Sequence, residues 1–198
     1  MYLRTDEENE AIESLAMART MVTKVSEHPS YWRWVIIALH NATQGFMVLS
    51  LRHGNSLMVL SKKSYKEWMD AYENKKPFPE ERMDTFLALY RKVKQKKSIG
   101  GNLPFDPQVG SDRSMRRLND LRNDFIHFIP KGLSLELDGL PEICGDCLKL
   151  VGFLGWESNN IYWHDPDLSE RGQRIHYLLN KDLNSLQKMF NELRPTAD

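Results

Sequence analysis

The chain has 198 residues, of which 41% are hydrophobic and 27% are charged, as in a soluble globular protein long enough to bury one core. Its formal net charge is zero, which argues against a generic nucleic-acid binder. The sequence contains no Walker loop, GxGxxG, HExxH or Ser or Cys nucleophile signature, so nucleotide-driven enzymes and hydrolases of those kinds are not expected. We expect a single domain over residues 1–198.

Apolar residues at helical spacing predict helices along most of the chain. In chain order these are expected at 6–25, 31–51, 61–74, 80–97, 111–127, 141–156 and 168–193. Ser30 is the expected cap of the second helix, and Ser111 or Asp112 that of the fifth, which Pro130 and Gly132 should stop. Residues 98–110 are expected to be a loop, and 133–137 an extended loop because a lone strand has no partner. The expected fold class is all-α, an antiparallel helical bundle with short connections and extra peripheral helices.

The compartment is inferred from two apolar patterns. Residues 1–19 are charged and lack the apolar stretch of a signal peptide. The longest apolar run, 34–51, is interrupted by polar residues such as His40 and Gln44, so a buried central helix is expected rather than a membrane span. We therefore expect a cytoplasmic protein with no membrane partner.

A polar trio, Arg122, Asn123 and His127, interrupts the fifth helix where a core helix would carry leucines. Asn123 and His127 are four positions apart and share one helix face, and the long side chain of Arg122 can curve to the same patch. The apolar face around them is formed by Leu118, Leu121, Phe125 and Phe128.

The trio has a chemical logic. Imidazole takes and gives protons near neutral pH, and guanidinium binds phosphate through two parallel hydrogen bonds. Together they suit attack of a ribose 2′-hydroxyl on its own 3′-phosphate, because one group moves protons while the other stabilises charge on the phosphate oxygens. That reaction needs no metal, and no cofactor is expected.

The segment resembles the R-x4-H signature of the HEPN superfamily (higher eukaryotes and prokaryotes nucleotide-binding domains), with Arg122, Asn123 and His127 at the matching positions. The resemblance implies a HEPN-like helical bundle and a metal-independent endoribonuclease of a toxin or phage-defence type. It also implies a homodimer, because the motif helices of two copies form a composite cleft in such relatives. The product would be a 2′,3′-cyclic phosphate, and an antitoxin protein would be a further partner.

The resemblance implies a role for each motif residue. His127 would be the acid or base, Arg122 would hold the phosphate, and Asn123 would bind or orient the RNA. Relatives silenced by an adenylylating antitoxin carry Tyr two positions after the motif His, where this chain has Ile129, so that regulation is doubtful. The alternative function is a catalytically silent helical binding or dimerisation module.

Charged residues near the motif support RNA as the substrate. Between Arg91 and Arg122 there are nine basic and three acidic residues, a net charge of +6. This segment would gather phosphate, with Arg116 and Arg117 as substrate-binding residues. For the basic residues of 91–97, a solvated helix end is an equal alternative.

Two further groups of residues leave alternatives open. His40 and Gln44, on one face of the second helix, either form a satisfied core network or lie behind Arg122 and His127 and orient the imidazole. Cys144 and Cys147 form a CxxC that is expected to be structural. A zinc site would need further ligands such as His164 or His176 at arbitrary spacing, and a redox dithiol would need a preceding strand. Neither these two histidines nor His53 is assigned a role.

Overall fold

A computed structural model of the chain describes residues 2–99, 103–127 and 134–193. Within these ranges the protein is all-α, with seven helices and no β-strand, as the sequence predicts. The helices are α1 (Glu7–Val22), α2 (Tyr31–Arg52), α3 (Lys62–Glu73), α4 (Phe86–Val93), α5 (Ser111–Ile126), α6 (Leu140–Gly152) and α7 (Pro166–Leu193). Short 3-10 turns at Leu57–Val59 and Lys96–Ser98, and a π-helical turn at Phe153–Glu157, complete the regular structure.

Of the described helices, α2 contributes the most buried residues, and it packs against α1, α4, α5 and α6. Ile36, Leu39 and Phe46 are completely buried in the core that these helices share. By length and hydropathy α2 is the one helix in the described ranges that could cross a membrane, but two thirds of its apolar window is buried inside the protein. That burial is typical of a core helix, because a hydrophobic surface already covered by protein is not available to lipid.

The contact between α1 and α2 is close enough to require glycine. A Cβ atom at Gly45 would lie 2.9 Å from the Cβ of Ala11, so any larger residue would push the two helices apart. The buried side of α1 includes Ile12 and Leu15. Asp6 begins this helix by accepting a hydrogen bond from the backbone N–H of Asn9, at 2.8 Å.

The helix predicted at 80–97 is wrong over its first six residues. Residues 80–85 are not helical. Their backbone groups form hydrogen bonds with the segment before α3 instead of the hydrogen bonds of a helix. Ser61 N–H donates to Arg82 O and Asp84 N–H donates to Val59 O, each at 2.9 Å, around an isolated bridge between Leu60 and Met83. The helix α4 begins only at Phe86.

Of the two predicted caps, Ser30 does occupy the N-cap position of α2, whereas the predicted cap of α5 at Ser111 or Asp112 is wrong. The Ser30 hydroxyl contacts His28 Nδ1 at 2.8 Å and makes no capping bond to α2. At α5 the N-cap is Gly110, with a φ of +97° that favours glycine, and Ser111 is the first helical residue. The other end of α5 agrees with the prediction, since His127 is its C-cap.

Several other expectations concern the connections between helices. Residues 103–109 form a loop as predicted, and residues 134–137 have no regular secondary structure. The predictions for Phe128, Ile129, Pro130, Gly132 and Leu133 lie outside the described residues. The helix α5, which carries Arg122 and Asn123, packs against α2, α4 and α6. This packing fixes the position of the polar trio.

Candidate functional site

The polar trio lies at the carboxyl end of α5. Arg122 is half-buried, and its Nη1 donates a hydrogen bond to Asn123 Oδ1 at 3.1 Å. The guanidinium therefore does curve round to its neighbour, as the sequence suggested. His127 follows the last helical residue, is exposed, and donates its backbone N–H to Asn123 O at 3.0 Å. Asn123 thus contacts both other members of the trio.

The charge of Arg122 is unusually free for a half-buried group. Its Nε is buried and has no hydrogen-bond partner, and no carboxylate of the described residues lies within 4.0 Å of the guanidinium. A buried donor without a partner costs about 1–3 kcal/mol in a neutral group and more in a charged one. Arg122 therefore has capacity to bind an anion.

His40 of α2 is close enough to Arg122 for the guanidinium charge to act on its ring. Its ring is 2% exposed and stacks on Phe86 of α4, with 4.1 Å between the ring centroids. Burial, followed by the charge of Arg122, lowers the pKa of His40 to about 4, while the nearby amides of Asn119 and Asn41 oppose the shift. Neither ring nitrogen has a partner with hydrogen-bond geometry. The ring is therefore neutral at pH 7, and a role in orienting His127 stays a prediction.

Two residues beside His40, Asn119 and Phe86, were not predicted from the sequence. Asn119 is three positions before Arg122 and therefore on the same side of α5, a spacing that could have identified it. Phe86 of α4 gave no such signal, because the contact depends on how α4 packs against α2.

Gln44, the other residue proposed to support the site, is half-buried and lies one helical turn after His40 on α2. It lines a groove of about 610 Å³ between α1 and α2, together with Asn41, Gly45 and residues of α1. The structure therefore brings His40, but not Gln44, to Arg122 through its described contacts.

Arg116 and Arg117 are both exposed on α5. Arg116 is seven positions before Asn123 and eleven before His127, so these three residues share one face of the helix, whereas Arg117 is turned about 100° away. Arg116 is thus the better placed of the two to bind an RNA that reaches His127.

The other predicted basic residues divide into two groups. Lys92 and Lys94 are neutralised by Asp84 and Asp112, each at 2.8 Å. The side chains left exposed in this segment are those of Arg91, Lys96, Lys97 and Arg113. The basic surface is therefore smaller than the sequence count implied, and it lies on α5, on the last turn of α4 and on the turn that follows α4.

Cys144 and Cys147 lie in the core with both thiols reduced and no exposed surface. Burial raises the pKa of both thiols, that of Cys144 to about 12, and Cys147 Sγ lies 3.9 Å from Met115 Sδ. Their packing is that of small hydrophobic residues, as expected for structural cysteines.

The histidines considered as zinc ligands have other partners. His164 Nδ1 is 2.6 Å from Glu8 Oε1, and His176 Nε2 is 2.9 Å from Leu148 O. Among the described residues, no three His, Cys, Asp or Glu side chains come together as a metal-binding group.

Comparisons of this chain with protein families, with curated proteins and with solved structures found no match.

Proposed function

We propose that this protein is a cytoplasmic, metal-independent endoribonuclease of the HEPN type that acts as a homodimer. Arg122 binds the scissile phosphate and stabilises the charge of the transition state, and His127 transfers protons. Asn123 binds or orients the RNA, with Arg116 on the same helix face. RNA is cleaved by attack of the 2′-hydroxyl, leaving a 2′,3′-cyclic phosphate.

The single observation that carries this proposal is the free charge of Arg122. An arginine that serves only to hold a bundle together is expected to pair with a carboxylate, because an unpaired charge away from water is costly. Arg122 instead has a buried Nε without a partner, and the one hydrogen bond described for its guanidinium is donated by Nη1 to the amide oxygen of Asn123. A phosphate oxygen would supply an acceptor to the remaining N–H groups at the end of the guanidinium.

The need for two copies follows from the number of usable imidazoles. Transesterification needs a base at the 2′-hydroxyl and an acid at the leaving 5′-oxygen. His127 is exposed, whereas His40 is buried and neutral, so one chain offers one imidazole for proton transfer at this site. A second copy would contribute the second His127 and a second Arg122. Ile126, next to His127, is partly exposed and would lie at such an interface.

The test is cleavage of a mixed RNA by the purified protein. His127→Ala should lower the rate by at least about 10²-fold, the usual scale for a general acid or base. Arg122→Ala should be severely impaired, and Arg122→Lys should rescue poorly because ammonium lacks the planar pair of donors. EDTA should not change the rate, and the 5′ fragment should end in a cyclic phosphate. His28→Ala, which changes an exposed histidine on the turn before α2, is the matched control.

Light scattering tests the composite site independently. A dimer at micromolar concentration should have about twice the chain mass of 23.2 kDa. If the protein is a toxin, expressing it should arrest growth, both alanine variants should be tolerated at equal abundance, and an antitoxin protein should relieve the arrest. Full cleavage by folded His127→Ala, or activity that requires a divalent ion, would contradict the mechanism. A folded dimer that cleaves no RNA would instead indicate the binding or dimerisation module.

A further inference from the structure

A second cluster of polar side chains surrounds a cleft far along the chain from the motif. The cleft has a volume of about 570 Å³, and its lining includes Arg52, His53, Asn159, Asn160 and His164. It lies where the end of α2 meets the segment between the π-helical turn and α7. This volume is within the range of small-molecule sites, about 300–1,000 Å³.

The orientation of His164 is fixed by a buried carboxylate. Glu8 is 5% exposed, and its carboxylate accepts hydrogen bonds from the backbone N–H of His164 and from Nδ1 of the ring, the latter at 2.6 Å. This bond places a proton on Nδ1 and leaves Nε2 as the ring nitrogen available to a ligand. A buried acid that orients an otherwise exposed imidazole is typical of a binding or reactive site.

Arg52 adds a permanent positive charge to the same cleft. Its Nη1 lies 3.2 Å from Glu7 Oε2 and its Nη2 lies 3.9 Å from Glu8 Oε1. Those contacts leave other guanidinium N–H groups free, since the group has five. No Asp or Glu is among the described residues that line the cleft. Glu7 and Glu8 balance part of the charge of Arg52, and an anion in the cleft would be bound by the guanidinium N–H groups that these carboxylates leave free.

Asn160 supplies an unused acceptor. Its Nδ2 donates to Leu103 O at 3.0 Å, which fixes the orientation of the amide, and its Oδ1 is buried without a hydrogen-bond partner. A ligand that carries a hydroxyl group next to its anionic group would satisfy this oxygen.

The backbone around the cleft is also unusual. His53, Ser56 and Asn159 all line it, and they are three of the four non-glycine residues with positive φ in the described ranges, at 37°, 56° and 56°. Residues held in this region often belong to ligand sites, where the surrounding structure maintains the strain.

We infer that this cleft binds a small phosphomonoester with free hydroxyl groups, such as a sugar phosphate. Arg52 donates hydrogen bonds to the phosphate, and Asn160 Oδ1 and His164 Nε2 accept hydrogen bonds from hydroxyl groups. This inference does not depend on the proposed ribonuclease activity.

Calorimetric titration of the full chain with ribose 5-phosphate, inorganic phosphate and ribose tests the inference. Ribose 5-phosphate should bind saturably and at least about tenfold more tightly than either fragment, because only it reaches both Arg52 and Asn160. Equal affinity for inorganic phosphate would show that the cleft binds anions without recognising the sugar, and it would contradict the inference. Absence of saturable binding at millimolar ligand would also refute it.

Asn159→Asp is the sharpest variant, because Asn159 is exposed, Asp tolerates its positive φ, and the change places a negative charge on the cleft. It should weaken ribose 5-phosphate at least about tenfold. Asn184→Asp, an exposed position on α7 outside the cleft lining, is the matched control and should bind as the wild type does. His164→Gln keeps a donor for Glu8 and should also weaken binding, whereas His28→Gln should not. Circular dichroism would establish that each variant is folded. Unchanged affinity in Asn159→Asp would overturn the inference.

Discussion

Acid should destabilise this protein partly through His40, and replacing His40 should remove that part of the effect. Burial, with the charge of Arg122 as the second cause, lowers the pKa of this histidine from 6.5 to about 4 in the folded protein. Unfolding exposes the ring and restores a pKa of about 6.5. Between these values the unfolded state binds the extra proton. The stability contributed by neutral His40 is therefore complete above pH 6.5 and is lost as the pH falls toward 4.

The size of the effect follows from the two pKa values. They differ by 2.5, and one pKa unit corresponds to about 1.4 kcal/mol, so His40 can account for a loss of up to about 3.4 kcal/mol. Integrating the proton uptake from pH 7 to pH 5 gives a loss of about 2 kcal/mol. A marginal domain would lose a large share of its stability over this interval, since folding free energies are about 5–15 kcal/mol.

Urea unfolding at pH 7 and pH 5 measures this difference. The wild type and His28→Gln, which changes an exposed histidine, should each lose about 2 kcal/mol more than His40→Gln between the two pH values. The comparison between variants cancels other titrating groups, including His176, whose pKa burial also lowers. If His40→Gln shows the same pH dependence as the wild type, the argument that His40 is held neutral behind Arg122 is refuted.

Two further predictions concern the packing of α6 and the turn that follows it. Gly155→Ala should lower the free energy of unfolding by about 1–3 kcal/mol, because its Cβ would lie 2.8 Å from the Phe46 ring. Gly145→Ala, which meets nothing within 4 Å, should instead raise it by about 0.5–1 kcal/mol, and equal effects in urea unfolding would contradict this assignment. Replacing both Cys144 and Cys147 with Ala should cost about 1–3 kcal/mol and leave RNA cleavage within a few-fold. The native thiols should react with a thiol reagent only on unfolding, and stoichiometric zinc or loss of activity in the folded variant would overturn the structural role.

The helices that the sequence predicted best are those whose signals are local. Asp6 and Ser61 both cap their helices, and each accepts a hydrogen bond from the backbone N–H three residues later. The predicted start at residue 80 was wrong because its signal is not local. Residues near Arg82 pair with a segment about 20 positions earlier, and that pairing satisfies backbone groups that a helix would otherwise use.

The same distinction applies to the candidate site. The contact between Arg122 and Asn123 joins adjacent residues, so the length of the arginine side chain was enough to predict it. The proximity of His40 to Arg122 was one of two hypotheses, because periodicity shows which face of a helix is apolar but not which helix covers it. Gln44 was grouped with His40 by spacing alone, and the packing of α1 against α2 places it on a separate groove.

The cleft at the end of α2 could not be predicted from the sequence, because its residues come from distant parts of the chain. Glu8 and His164 are 156 positions apart, and Glu8 lies in an acidic first turn that predicts only a solvated helix start. Its burial results from the packing of α1 against both α2 and α7, which brings Arg52 and His164 to one carboxylate. None of these three residues forms a recognisable motif with its neighbours in the sequence. Their chemistry arises only when three distant helix ends meet, and for that reason the second site could be found only from the structure.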